Sequence, residues 1–351
     1  MSAPGGRRAA ADTALPAQPG ASRGGLHRPG PMPRRALLAA PALLALPARG
    51  QEAFPNRPVT ILVASPAGGG TDFSARLIAE PLAQRLGQPV VVENRPGGNG
   101  SIGLLAAARA RPDGHTLTVG YSGTMTGRPA VEGVADLDPQ KDFAPVALLT
   151  DTPQVMLVHP SLPVRTLPEF VAYAKQRPGQ LNYASAGNGS LHHLGTELLK
   201  RRTGIDLVHV PYRGTGETIS DLIAGRIQFY MNSPPPVIGF VRDGRLRAIA
   251  TTGQQRHPAL PEVPCLAEAG IADMPVNVWY ALYAPARTPP PVLEKLGREV
   301  QAVLADPAVQ SRAMEAGTFV TYAEAPAVAA RLAREIAAWT EVVKQAGIKP
   351  D

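Results

Sequence analysis

The chain has 351 residues, which is enough for two domains of ordinary size. Its formal net charge of +7 points to a polyanion partner, but seven arginines and one acid in residues 1–50 account for +6 of that charge. The remaining +1 is spread over residues 51–351, whereas binding to a nucleic-acid backbone requires clustered cations. Charge and composition therefore argue against a nucleic-acid-binding protein, and the one cysteine, Cys265, precludes an internal disulfide.

The N-terminal segment has the parts of a secretory leader. Arg34 and Arg35 precede an apolar stretch over residues 36–48, which ends in small residues. A charged segment, a short apolar segment and a small-residue cleavage site make up a signal peptide, and this apolar segment is too short to cross a bilayer. The residues before Met32 show no hydrophobic periodicity, so Met32 is an alternative start. We predict that residues 1–50 are a leader and that the mature protein is exported from the cytoplasm.

Strand-like runs then alternate with helical runs, as is typical of α/β domains built on largely parallel sheets. The run VTILVAS leads into a helix from Asp72, and PVVVENRPGGNG leads into a helix from Ser101. We expect Pro81 to kink or interrupt the first of these helices. Two helices near residues 291–306 and 326–345 close the chain. Further strands are predicted in HTLTVGYSG, LNYASAGNG, IDLVHVPYRG, RIQFYMNSPP and RLRAIATTG.

Two of the strand-to-helix loops are near copies of each other. Residues 67–71 read AGGGT and residues 186–190 read AGNGS, and each loop ends in a hydroxyl residue suited to cap a helix. The loops lie 119 residues apart, about the length of one domain. The simplest architecture therefore has two α/β lobes, each with a glycine loop at the carboxyl edge of its sheet, where such sheets bind ligands.

A glycine loop at the start of a helix suits an anion. The first backbone N–H groups of a helix have no partner within it, and the N-terminus carries roughly +0.5 of an elementary charge. Glycine lets a ligand reach these groups because no Cβ stands in the way. One such loop alone is often a tight turn, but the near duplication favours binding.

Motifs for nucleotides and for catalysis are absent from the sequence. A P-loop continues with Lys after its last glycine, whereas Gly70 is followed by Thr71 and Asp72. The dinucleotide fingerprint requires Gly or Ala where Phe73 and His192 stand. There is no nucleophile elbow, and the His and Cys residues have no metal-ligand spacing. We therefore expect no cofactor, metal ion or catalytic residue; a small carboxylate is the remaining ligand, and a hydrolase acting in the same cleft is disfavoured.

Several residues have a structural interpretation beside the functional one. Asp72 is better explained as a helix cap than as a ligand contact. For Tyr212 and His193, local packing is at least as good an explanation as contact with solute. Trp279 and Tyr280 are expected to be hinge or core residues.

Longer stretches of the sequence resemble the Bug-type periplasmic solute-binding receptors of tripartite tricarboxylate transporters. The resemblance runs from about Phe54 to the C-terminus, and the matching stretches follow in the same order. They are PAGGGTDFSARLIAEPLAQRLGQPVVVENRPGGNG, RPDGHTLTVG, DPQKDFAPVALL, KQRPGQLNYASAGNGSLHHL, VHVPYRGTGETISDLIAGRI, LRAIATTGQQRHPALPEVPCLAEAG and WYALYAPARTP.

The resemblance implies an α/β fold of the two-lobed periplasmic-binding-protein type (type II, a Venus flytrap) with two chain crossovers. Crossings near Thr152 and Pro275 would give one lobe from residues 51–153 plus 277–351 and a second lobe from residues 154–276. Such a receptor binds a small carboxylate between its lobes, largely through backbone amides and ordered waters. It would act as a monomer and deliver this organic acid to the permease subunits of a membrane transporter. A receptor that docks on a signalling protein is the alternative.

Contact with the ligand is assigned by the same resemblance, residue by residue. Asn232 stands where many members have Asp, and the loss of this carboxylate disfavours a ligand with an ammonium group. The predicted ligand-binding set is Ala67, Gly68, Gly69, Thr71, Asp72, Ser122, Thr124, Ser185, Ala186, Gly187, Asn188, Gly189, Ser190, Tyr212 and Asn232.

Overall fold

The computed structural model describes Gly30 and residues 54–134, 136–271, 274 and 276–349, which are called the described residues below. The predicted leader apart from Gly30, the alternative start at Met32 and the crossover at Pro275 lie outside them. In the described ranges, no helix combines the length and the apolar character needed to cross a bilayer.

The described residues contain eleven strands and eleven α-helices, numbered here in chain order. The strands are β1 (Val59–Val63), β2 (Val90–Asn94), β3 (Thr116–Tyr121), β4 (Phe143–Pro153), β5 (Val155–Val158), β6 (Asn182–Ser185), β7 (Val208–Pro211), β8 (Phe229–Asn232), β9 (Arg247–Thr251), β10 (Asn277–Pro285) and β11 (Val320–Glu324). The helices are α1 (Gly70–Leu86), α2 (Ser101–Ala108), α3 (Arg128–Glu132), α4 (Pro139–Asp142), α5 (Leu167–Lys175), α6 (Leu191–Thr203), α7 (Thr215–Ile223), α8 (Ile238–Arg242), α9 (Pro290–Leu304), α10 (Pro307–Glu315) and α11 (Ala325–Ala346).

The strands form two mixed sheets, one in each lobe. The first sheet has the order β11-β4-β10-β3-β1-β2, and the second has the order β7-β6-β8-β5-β9. The two-lobed α/β prediction is confirmed, but the expectation of largely parallel sheets is wrong. Strand β10 is antiparallel to β3 and β4, and β5 is antiparallel to β8 and β9. The reason is topological: β4 carries the chain out of the first sheet and β10 brings it back in the opposite direction.

The two connections between the sheets are tied together at one buried point. Only Gln154 separates β4 from β5, and it is fully buried. Its N–H donates to Thr252 Oγ1 at 2.8 Å, and its side-chain amide donates to the Val276 carbonyl oxygen at 3.2 Å. The Thr252 hydroxyl donates to the same carbonyl at 3.1 Å. These hydrogen bonds tie the two crossing segments to each other at one place, which is called the Gln154 hinge below for its position between the sheets.

Helix α1 runs through Pro81 without interruption, so the prediction of a break there is wrong. Its inner face is fully buried, with Leu77 and Leu82 in the core of the first lobe. Burial of this face outweighs the one backbone hydrogen bond that proline cannot make. The helix ends at Gly87, whose φ of 67° lets its N–H close back on the Ala83 carbonyl.

The C-terminal helix α11 is fastened to both crossing strands by a cluster of polar side chains. Arg331 donates to Asp151 of β4 at 2.5 Å and to Glu335 at 2.6 Å. Glu335 in turn accepts from the indole N–H of Trp279 in β10 at 2.7 Å. These charged side chains are only about a fifth exposed, at 21%, 19% and 22% for Arg331, Asp151 and Glu335. Each of them therefore depends on its partners for solvation.

We predict that Arg331→Ala lowers the free energy of unfolding by about 2 kcal/mol, because two partly buried carboxylates lose their cation. The measurement is urea unfolding followed by tryptophan fluorescence. Arg334→Ala on the same helix is the matched control, since Arg334 is exposed and makes no ion pair with any described residue. Equal losses in the two variants would contradict this role for Arg331.

Candidate functional site

A small cavity lies between the two lobes, with a volume of about 70 Å³. We call it the interlobe cavity. The first lobe contributes Ala64, Ser65, Pro66, Ala67, Gly69, Gly70, Thr71, Gly97, Asn99, Gly100, Tyr121, Thr124, Val278 and Tyr280. The second lobe contributes Ala186, His192, Arg213, Gly214, Thr215, Gly216 and Asn232.

The start of α1 forms one wall of this cavity. Its N-cap, Gly69, has no side chain that could bond to the free amides of the first turn. The N–H groups of Gly70, Thr71 and Asp72 have no acceptor among the described residues. This wall therefore offers backbone donors and the positive end of a helix, as the sequence predicted for the first glycine loop.

Asp72 fixes the shape of this loop from behind. Its carboxylate accepts from the Gly68 N–H at 2.9 Å, from Asn94 Nδ2 at 3.0 Å and from Arg76 Nε at 3.0 Å. Burial raises the pKa of the Asp72 carboxyl, but these hydrogen bonds outweigh it and hold the pKa below its usual range. Asp72 does not line the cavity, and its carboxylate bonds to the Gly68 N–H before the helix and not to a free amide of the first turn, so it holds the loop but does not cap α1 as the sequence predicted.

The second glycine loop uses its amides internally. The Gly187 N–H donates to Ser185 Oγ at 3.1 Å, and the Gly189 N–H donates to His193 Nδ1 at 3.3 Å. Of this loop only Ala186 lines the interlobe cavity. The sequence predicted that the two glycine loops would face each other across the cavity. In the structure a different element of the second lobe faces the start of α1.

That partner is the start of α7. Its N-cap, Gly214, also lacks a capping side chain, and Thr215 and Gly216 line the cavity. A Cβ added at Gly214 would lie 2.8 Å from Pro66 Cγ of the first lobe, and one at Gly69 would lie 3.8 Å from Thr215 Oγ1. Two helix N-termini from different lobes thus meet at one cavity. The sequence does contain a signal for this second helix start, because RGTG at residues 213–216 follows a strand just as AGGGT does.

The electrostatic character of the cavity favours a negative guest. Arg213 is the only permanently charged side chain among the lining residues, none of which is Asp or Glu. Burial lowers the pKa of His192 to about 4, so this imidazole is neutral at pH 7. Burial also raises the pKa of Tyr280 to about 12, which keeps its hydroxyl available as a donor. Within the residues described, no cluster of three His, Cys, Asp or Glu could hold a metal ion.

The predicted site residues fall into three groups. Those that line the interlobe cavity are Ala67, Gly69, Thr71, Thr124, Ala186 and Asn232. Gly187 and Tyr212 line an outer recess beside it, which also includes Pro66, Gly97, Asn99 and Arg213. Those outside both are Gly68, Asp72, Ser122, Ser185, Asn188, Gly189 and Ser190.

The sequence missed several lining residues, chiefly Tyr121, His192, Arg213, Thr215 and Tyr280. Tyr280 was expected in the hinge or core, and its ring is indeed buried. Its hydroxyl, however, reaches the cavity and lies 3.1 Å from Ser233 Oγ of the second lobe. Tyr212 instead donates its hydroxyl to Asp221 at 2.7 Å, as the packing interpretation expects.

The lobes are closed around the cavity. Asn99 Nδ2 of the first lobe donates to the Asn188 carbonyl of the second at 2.6 Å. Asn99 adopts a left-handed φ of 49°, which asparagine tolerates better than most residues. A Cβ added at Gly70 would collide with the Tyr280 hydroxyl and lie 2.7 Å from Ser233 Oγ. The contact with Tyr280 lies within the first lobe and the contact with Ser233 lies across the cleft, so both the packing of the first lobe and closure need a bare backbone at Gly70.

Comparison with known proteins places this architecture in a family. Residues 74–348 match the model of the tripartite tricarboxylate transporter family receptor. The chain is 37% identical over 297 residues to the UPF0065 protein from the tcbD-tcbE intergenic region of Pseudomonas sp. strain P51, covering 83% of this chain and 87% of that protein. It is 35% identical over 303 residues to protein BugT of Bordetella pertussis, covering 85% of this chain and 92% of BugT.

Solved structures of similar proteins share the fold of this chain. The periplasmic binding protein BugD superposes with a TM-score of 0.79 at 32% identity, covering 85% of this chain and 100% of that one. Rpa4515 of R. palustris with adipate gives 0.82 at 34% identity, covering 85% and 100%. MatC (Rpa3494) of Rhodopseudomonas palustris with bound malate gives 0.78 at 36% identity, covering 83% and 100%.

We predict that stability falls between pH 6.5 and pH 4.5. The pKa of His192 is about 4 in the folded chain and near 6.5 in an unfolded one, so the unfolded chain binds protons first as the pH drops. The stability is therefore full above pH 6.5 and is lost as the pH falls towards 4. Burial also lowers the pKa of His209 to about 4, which acts in the same direction.

The measurement is urea unfolding at several pH values for wild type and His192→Gln. The variant removes one of the titrating groups, so its stability should depend less on pH in this window. His159→Gln is the control, because His159 bonds to Ser161 on the surface of the second lobe. An unchanged pH slope in His192→Gln would show that this histidine is not held neutral by the fold.

Proposed function

The chain belongs to the receptor family of tripartite tricarboxylate transporters, and on that premise we propose that it captures a small carboxylate and delivers it to such a transporter. Membership makes it a solute-binding protein, and relatives solved with adipate and malate support a carboxylate as the solute. The observation that carries the proposal is that α1 and α7 both begin, without capping side chains, at one cavity whose lining has no carboxylate.

The hydrogen bonds that this arrangement can make are sufficient for micromolar binding of an anion. A hydrogen bond to a charged group contributes roughly 1.5–3 kcal/mol net. Four such bonds from the starts of α1 and α7 would approach the about 8 kcal/mol of a micromolar complex. Arg213 at the edge of the cavity adds a cation, and it has no ion-pair partner among the described residues.

We propose that the lobes consist of residues 51–153 with 277–351 and of residues 154–276. The sheet memberships support these boundaries, since β1–β4, β10 and β11 make the first sheet and β5–β9 make the second. Rotation about the Gln154 hinge would open the cleft and let the ligand enter. Closure would then bring the start of α7 against α1 and exclude water, which strengthens each contact with the anion.

Direct contact with the ligand is proposed for Ala67, Gly69, Thr71, Thr124, Ala186 and Asn232, together with Arg213, Thr215 and Tyr280. The remaining predicted residues would act from behind. Asp72 and Gly68 hold the first loop through their own hydrogen bond, and Ser185 holds Gly187 in the same way.

We further propose that the protein works in the periplasm as a monomer, exported by the N-terminal signal, and that it releases its ligand unchanged. The periplasmic assignment is supported by the family and by the BugD structure. Recovery of an unaltered acid after prolonged incubation with purified protein would be the expected result, and its conversion would revive a hydrolase.

A thermal-shift screen against small mono-, di- and tricarboxylates tests the proposal. A ligand at about 100 times its dissociation constant should add roughly 2.7 kcal/mol of stability and raise the melting temperature. Arg213→Gln should weaken the best acid by about tenfold and reduce its dependence on salt. Arg245→Gln on the exposed surface of the same lobe is the control. If no acid shifts the melting temperature, the carboxylate proposal fails.

Gly70→Ala tests closure of the lobes on the ligand. The added methyl group would meet Tyr280 of its own lobe and Ser233 of the closed second lobe, and overpacking of this size costs about 1–3 kcal/mol. Thermal melts of the ligand-free variant report the part of this cost that lies within the first lobe. We expect the acid found by the screen to bind about 10 to 100 times more weakly in calorimetry.

Gly239→Ala serves as its control, since an added Cβ there meets nothing within 4 Å. Wild-type affinity in Gly70→Ala would mean that the ligand does not need the closed arrangement.

A further inference from the structure

A second cavity lies on the other side of strand β10 from the interlobe cavity. Val278 lines the interlobe cavity, whereas its neighbour Asn277 lines the second one. Adjacent residues of a strand point to opposite faces, so β10 separates the two cavities. We call the second one the interhelix groove, because α11 of the first lobe and α6 of the second lobe form its walls. Its volume is about 620 Å³, within the roughly 300–1,000 Å³ of ligand pockets.

Each wall of the interhelix groove is one face of a helix. On α11 the lining residues Ala338, Trp339 and Val342 are spaced by one helical turn, so they share a face. On α6 the lining residues Leu198 and Arg202 are four apart and share a face in the same way. All of these side chains except Arg202 are apolar. The two walls therefore offer an apolar surface to the body of a ligand.

The charged residues of the groove favour an anion. Arg331 and Glu335 both line it, but they bond to each other, and Arg331 also holds Asp151. Arg334 lines it three residues further along α11, is exposed and makes no ion pair with any described residue. Arg202 adds a second positive charge from the facing wall. A guanidinium with no carboxylate to neutralise it is suited to an anionic group of a ligand.

The groove also reaches the connections between the lobes. Thr252 lines it, accepts from the Gln154 N–H and donates to the Val276 carbonyl. Arg201 of α6 donates to Gln345 of α11 at 3.3 Å, which joins the two helices that form the walls. A ligand in the groove would therefore contact both lobes. The lobes are closed in this structure, so a ligand that fits the groove as it stands binds the closed arrangement better than an open one.

We propose that the interhelix groove binds an organic anion with an apolar body of aromatic size, and that this ligand acts as an effector that favours closure. The anionic group would lie at Arg334 and the body against Leu198 and Trp339. The groove is much larger than the roughly 150 Å³ that holds benzene in an engineered cavity, so a fused two-ring acid fits. The site is separate from the cleft, and only the effector role rests on the proposed function of the cleft.

Isothermal titration of the wild-type protein with 2-naphthoate tests the site, and the uncharged 2-naphthamide is the comparator. The two molecules share one ring system and differ in charge. One molecule of 2-naphthoate should bind per chain, about fivefold or more tightly than the amide, because only the acid can pair with a guanidinium. Equal affinities would overturn the role of Arg334.

Two pairs of variants locate the site. Ala338→Phe fills the groove and should weaken 2-naphthoate about tenfold or more, whereas Ala337→Phe, at an exposed position outside the groove, should not. Arg334→Gln should reduce the preference for the acid over the amide to below about twofold, whereas Arg312→Gln on the exposed face of α10 should keep it. Thermal melts establish that each variant folds, and Arg334→Gln decides the matter if Ala338→Phe does not fold.

The effector role is tested by titration with the best acid of the thermal-shift screen, with and without saturating 2-naphthoate. The acid should bind about fivefold more tightly when the groove is filled, and 2-naphthoate should gain by the same factor when the cleft is filled. In Ala338→Phe, 2-naphthoate should no longer change the affinity of the acid. If the acid binds the wild type equally well or more weakly with 2-naphthoate present, the effector role is overturned.

The outcomes separate the site from the function of the cleft. If 2-naphthoate does not bind, or binds Ala338→Phe as tightly as wild type, the inference is overturned while the carboxylate receptor stands. If 2-naphthoate binds in the groove but no acid binds in the cleft, the proposed function and the effector role fail together and the second site stands.

Discussion

The proposed function depends on two sets of backbone N–H groups that have no acceptors among the described residues. They lie at the starts of α1 and α7, in different lobes, and they meet only because the lobes are closed. Two positive helix ends that lie close together repel each other unless a negative group lies between them. In the proposed function, a small anion in the cleft would satisfy these donors and hold the two lobes together.

The rest of the fold keeps these helix ends in position. Asp72, with Asn94 and Arg76, fixes the loop before α1, and the hydrogen bonds of Gln154 join the two segments that connect the lobes. The cluster around Arg331 fixes α11 to β4 and β10, the two first-lobe strands that adjoin the crossing segments. In the proposed function the two sheets serve as the walls of the cleft, and the segments around Gln154 are the joint about which the lobes would rotate.

Much of this architecture was predictable because its signals are local. Alternating strands and helices gave the α/β class, and the loop AGGGT identified the start of α1. The second loop, AGNGS, looked equivalent, but Ser185 and His193 already occupy its amides. Which amides stay free is decided by side chains that fold back from neighbouring elements, and glycine spacing does not record this.

The residues that sequence reasoning missed are those brought to the site by distant parts of the chain. Tyr280 lies on a strand of nearly continuous apolar residues and looks like core, yet its hydroxyl reaches the second lobe. His192 was seen only as one of two adjacent histidines in a helix, and its neutrality comes from burial beside Asn232 and Tyr230 of the same lobe. Such contacts join elements that are far apart in the sequence, so no periodicity in the sequence can reveal them.

The central claim, that one anion bridges the starts of α1 and α7, is tested most directly by amide NMR during titration with a small carboxylate. The backbone N–H signals of Gly70, Thr71 and Gly216 should move downfield together and saturate at one common concentration of the acid. The account would be contradicted if these signals stayed in place while the acid bound, or if those of α1 and α7 followed different binding curves.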